Sequence, residues 1–119
     1  MASTHIAVSV KAPWSSPGHY DALFLIDTGA IDSMAPSDEL RRAGIEPVGR
    51  KTYELADGTR HEYQFGLAQI EFMGEITAGR VIFGPDGIEP CLGVTALEAA
   101  GVTIDPSTQT LKKLPAVRI

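Results

Sequence analysis

The run Leu23-Phe24-Leu25-Ile26 passes without a polar transition into Asp27-Thr28-Gly29-Ala30, and no other stretch constrains the chain as strongly. Tyr20 to Ile26 is almost continuously apolar and reads as a strand buried on both faces. A carboxylate set directly at its end lies at the mouth of a buried strand, where desolvation acts on it. Burial raises a carboxyl pKa, and a second carboxylate close by raises one of the pair further. Gly29 lets the backbone turn sharply and lets another chain or a substrate approach closely. Thr28 supplies a hydroxyl able to pin the loop.

The remaining sequence reads as short strands with two brief helices. Thr4 to Val10 alternates as a strand with one buried face, and Ala12 to Gly18 is a Pro/Ser/Gly loop holding Trp14. Pro36 to Gly44 predicts a short helix: proline at its start, acids in the first turn, Arg41 and Arg42 in the last, glycine past the end. Lys51–Leu55 and Arg60–Phe72 predict a hairpin whose tip, Ala56-Asp57-Gly58-Thr59, carries an Asp-Gly turn signal. Met73-Gly74 turns the chain back into Ile76–Phe83. After a loop at Gly84–Gly87, Cys91-Leu92 is a short strand ending at Gly93. Thr95 and Glu98 fit a capping box for a helix that Gly101 closes, and Val102 to Leu111 reads as a final hairpin. This pattern predicts an all-β barrel or sandwich.

At 119 residues the chain is expected to form one domain over residues 1–119, with enough core to need no staples. A single cysteine, Cys91, excludes an internal disulfide framework and a multi-cysteine zinc site. It reads as a small buried hydrophobe beneath the Asp27 loop. Ten basic against fifteen acidic residues argue against the basic face that nucleic acid requires. No apolar run approaches the ~20 residues of a membrane-spanning helix, and no leader is evident, so a cytoplasmic protein that binds neither membrane nor nucleic acid is expected. His5, His19 and His61 are scattered without ligand spacing; no metal or other cofactor is expected.

Asp27-Thr28-Gly29-Ala30 resembles the active-site loop of the aspartic peptidases, specifically the retropepsin-like group built from half-size chains. Members of that group place a hairpin flap in mid-chain, as Lys51–Phe72 would be with its tip at Asp57-Gly58. They also carry an apolar-apolar-Gly segment before a short C-terminal helix, matched by Cys91-Leu92-Gly93 and the Thr95–Ala100 helix. Order and spacing agree over about residues 5 to 114.

The resemblance implies a closed retropepsin-like β-barrel and an endopeptidase acting on peptide or protein substrates. Its mechanism needs two facing carboxylates, and this chain has one Asp-Thr-Gly, so the implied active form is a homodimer sharing Asp27 from each copy. Thr28, Gly29 and Ala30 would support the loop, and Leu92 and Gly93 would lie beneath it. Thr28 would lock the two loops across the axis, with the terminal strands Thr4–Val10 and Thr110–Ile119 in the dimer sheet. Ala56, Asp57 and Gly58 in the flap, with Asp32 in the loop, are the implied substrate contacts. On the residues alone, Asp57 reads as a turn former, and Asp32 and Ser33 equally as loop support, substrate contacts or solvated loop residues.

Two positions depart from retroviral members. Ile31 stands where they have aspartate and Val94 where they have arginine, so a hydrophobic contact is expected in place of their bracing ion pair. The paired departures suggest a cellular branch of the group. The alternative reading is a catalytically weak or inactive dimer of the same fold, serving as a peptide-binding or dimerisation module.

Overall fold

The computed structural model describes residues 4–13, 17–105 and 107–119. Among them are nine strands and two short helices: β1 (His5–Lys11), β2 (His19–Ile26), β3 (Ser33–Pro36), α1 (Ser37–Arg42), β4 (Gly49–Glu54), β5 (Arg60–Phe72), β6 (Glu75–Gly84), β7 (Cys91–Leu92), α2 (Val94–Ala100), β8 (Val102–Asp105) and β9 (Thr110–Lys113). The protein is therefore mostly β. No helix among the described residues is long and apolar enough to cross a membrane.

Seven strands form one sheet in the order β1-β2-β7-β3-β6-β5-β4, and β1 also pairs with β5, so six of them run as a ring with β4 attached outside it. The local signals explain most of these elements. β5 has the ends its sequence predicts, and it turns into β6 through Met73 and Gly74, both at positive φ. At the β4–β5 tip, Gly58 has φ 85° and donates its N–H to Leu55 O. Asp57 Oδ1 accepts from both the N–H and the hydroxyl of Thr59, the Asx geometry that makes Asp-Gly a turn former. Helix α1 carries Asp38 and Glu39 in its first turn and Arg41 and Arg42 in its last, each favourable to the helix dipole.

The core fills the ring. Val10, Phe24, Leu40, Ile45, Ile70, Val81 and Leu92 are all but inaccessible to solvent, and burying each such side chain stabilises the fold by roughly 1.5–3 kcal/mol.

Three sequence readings need correction here. β2 is buried on one face only: Phe24 is enclosed, whereas Leu23 keeps 63% of its surface exposed and Asp21 and His19 share its face. Asp21 already marks that outward face in the sequence. The chain also forms a strand, β3, ahead of the helix expected from Pro36, where the sequence carries no strand signal. Its four residues, the last a proline, carry no alternation, and the strand exists because β6 and β7 flank it. Lastly, Leu114 to Ile119 follow β9 without strand structure. Trp14 lies outside the described residues.

Candidate functional site

β2 delivers Asp27 to a seam where three strands meet. β7 lies parallel to β2, with Leu25 opposite Cys91 and Ile26 opposite Leu92, and antiparallel to β3, with Cys91 opposite Met34. The two-residue strand thus fills the gap between the strand entering the Asp27 loop and the strand leaving it. The Asp27 N–H donates to Leu92 O at 3.0 Å, which ends the parallel pairing at the loop. The chain then closes on itself: the Ala30 N–H donates to Asp27 O at 3.1 Å, and the Gly29 N–H to Asp27 Oδ1 at 3.0 Å. The carboxylate is half-buried and oriented by its own loop, while Thr28 and Gly29 are exposed at the tip. Thr28 makes no side-chain hydrogen bond among the described residues.

Below the loop, Ala30 and Ile31 are fastened to the start of α2. The Val94 N–H donates to Ala30 O at 2.8 Å, and both the N–H and the hydroxyl of Thr95 donate to Ile31 O, at 3.2 and 2.8 Å. Ala30 is thus joined to Val94 and Ile31 to Thr95 by hydrogen bonds, and Ile31 is exposed. The capping-box expectation needs correction. Thr95 caps no helix: Gly93 is the N-cap, without a side-chain bond, and the Thr95 hydroxyl goes to the loop.

Gly93 is required by space. A Cβ there would stand 2.5 Å from Ile31 O and 2.6 Å from the Asp32 carbonyl carbon, both backbone atoms with nowhere to go. Its N–H donates to the buried hydroxyl of Ser33 at 3.0 Å. Leu92 beside it is fully buried, and its carbonyl accepts the Asp27 N–H. Cys91 is only half-buried, which corrects its reading as a buried hydrophobe. Burial, and next the Asp27 carboxylate, push its thiol pKa up, so the thiol is a poor nucleophile.

Asp32 is not a solvated loop residue. It is 4% exposed; its Oδ2 accepts the Tyr53 hydroxyl at 2.8 Å and lies 3.2 Å from Arg80 Nε. Burial, then the hydrogen bond to Asp32, pushes the Tyr53 phenol up to about 12. A buried carboxylate needs such partners. Their sequence distance hides them: Tyr53 comes from β4 and Arg80 from β6, and no local motif marks either. At the hairpin tip Ala56, Asp57 and Gly58 are exposed, and the Asp57 carboxylate serves the turn, its pKa lowered chiefly by the Thr59 hydroxyl.

No protein-family model matches the chain, and no curated protein matches it.

Proposed function

We propose that this chain is one half of a retropepsin-like aspartic endopeptidase, active as a homodimer with one Asp27 from each copy. The observation that carries the reading is the Asp27 loop itself. Its carboxylate is oriented by the Gly29 N–H, its backbone is tied to Leu92, and an exposed tip at Thr28 and Gly29 is left for a second copy to meet. A half-buried carboxylate held in this way can act as an acid or base, and a facing copy would supply the other role.

In this mechanism the two Asp27 carboxyls share one proton and hold a water between them. The ionised carboxylate takes a proton from the water as it attacks the peptide carbonyl. The protonated partner donates a hydrogen bond to the carbonyl oxygen as negative charge gathers there. The pair titrates as a unit, so its pKa values belong to neither copy alone. Thr28 would meet the partner's loop across the two-fold axis. The β4–β5 hairpin would fold over the bound peptide as a flap.

The test is cleavage of a mixed peptide library from about pH 3 to 8, the range over which a carboxyl dyad titrates. It compares wild type with Asp27→Asn at concentrations that fill a weak dimer. Asparagine keeps the acceptor that Gly29 uses, so the loop should survive while cleavage falls at least about a thousandfold. Equal turnover by both proteins would sink the proposal.

A further inference from the structure

The β4–β5 hairpin distributes its charges unequally between its faces. Residues directly opposite across an antiparallel pair share a face. Arg50 with Gln64, Thr52 with Glu62 and Glu54 with Arg60 therefore lie on one side, and Gly49 with Phe65, Lys51 with Tyr63 and Tyr53 with His61 on the other. On the first side the charges cancel locally. Arg50 Nη1 is 2.9 Å from Glu62 Oε1, and Arg60 Nε is 3.5 Å from Glu54 Oε1.

The second side is an aromatic ladder with cations set into it. The Tyr53 and Tyr63 ring centroids are 6.2 Å apart, His61 stacks on Tyr63 at 6.2 Å, and the Arg80 guanidinium lies 5.6 Å over the Phe65 ring. The Tyr53 bond to Asp32 turns this side toward the segment that follows the Asp27 loop. Arg80 is spent on Asp32. Lys51 is exposed and has no ion pair among the described residues. The side facing the loop therefore carries an uncompensated positive charge, on a chain whose formal net charge is −5.

We infer that this face of the hairpin takes the carboxylate side chain of an aspartate or glutamate in an extended peptide, with Lys51 as its cationic partner and Tyr63 and His61 as flanking walls. The inference rests on the peptidase reading for its peptide and adds the substrate class. Charge complementarity selects the occupant: an unpaired ammonium attracts an anion and repels a basic side chain. Lys51 lies two residues, or ~7 Å, farther from the hairpin tip than Tyr53. The recognised acid is accordingly several positions away from the scissile bond.

The test uses acetylated, amidated decapeptide libraries in which one position at a time is fixed as Glu or Gln. Cleavage is followed with wild type, and binding is followed by calorimetry with Asp27→Asn. Glu should be favoured over Gln at one position by roughly three- to tenfold. Lys51→Glu should abolish or invert that preference, and Arg42→Glu, at an exposed arginine on α1, should leave it intact. A Lys51-dependent preference in binding without cleavage by wild type would uphold the inference and overturn the peptidase reading. Indifference to Glu at every position, a preference that survives Lys51→Glu, or no binding at all would overturn the inference.

Discussion

The Tyr53 hydroxyl donates a 2.8 Å hydrogen bond to Asp32 Oδ2, tying the first strand of the hairpin to the segment that follows the Asp27 loop. A carboxylate this enclosed relies on its partners more than an exposed one would. Tyr53→Phe should therefore lower unfolding free energy by about 1–3 kcal/mol, the usual effect of removing a hydrogen bond to a buried charged group. Urea denaturation measures the loss. In combination with Asp32→Asn the two losses should sum to more than the double variant shows, since both remove one interaction. Strict additivity would mean the bond contributes nothing.

Gly93→Ala should be among the most damaging single-methyl changes in the chain. The new Cβ would meet the backbone of Ile31 and Asp32 below 3 Å, so α2 and the loop must move apart. A destabilisation of roughly 1–3 kcal/mol, typical of overpacking, should appear as a lower melting temperature. An unchanged melting temperature would show that the two segments separate freely.

Leu92 is fully buried directly beneath the loop. Leu92→Ala should cost about 2–5 kcal/mol through lost burial and the cavity left behind. Leu92→Met, which nearly conserves volume, should cost less than about 1.5 kcal/mol. Chemical denaturation of the two variants side by side gives the comparison, and similar losses would place residue 92 outside a packed environment.

Stability should fall on the acid side. Asp21, Asp57, Glu71 and Asp105 have pKa values below their ordinary ones, held there chiefly by Ser9, Thr59, Lys11 and Ser107 respectively. Between the folded and unfolded pKa values the unfolded chain binds more protons, so this stabilisation is present above the ordinary carboxyl range and is lost as pH falls below it. Tyr53 has the opposite sign. Its raised pKa stabilises the fold below about pH 10, the unfolded phenol value, and the benefit disappears as pH climbs toward the folded value of about 12. Urea midpoints from pH 2 to 11 should decline at both ends, and a midpoint still rising below pH 4 would contradict the acid-side assignment.

What the sequence announces and what it hides divide by range. The ends of β5, the polarity of α1 and the Asp-Gly tip follow from signals a few residues wide, and the structure reproduces them. β3 has no such signal; its pairing with β6 and β7 defines it. The Thr95–Glu98 pattern matches a capping box, yet the hydroxyl finds the Ile31 carbonyl instead, a competitor that only the tertiary fold brings near. Asp32 looks like one more loop acid until Arg80 and Tyr53 arrive from other strands. The Asp27 loop was legible because its own residues make its turn, whereas its supports were not, because they come from the far end of the chain.

The smallest strand has a temporal consequence. Asp27 receives its backbone partner from Leu92, so the loop cannot be secured until that residue has left the ribosome. A nascent chain that ends anywhere before it carries the Asp-Thr-Gly triplet without the wedge that fixes its shape. Under the proposed reading, premature termination or N-terminal proteolytic fragments would yield no stray hydrolytic activity, a safeguard that comes from the order of strands and needs no inhibitor.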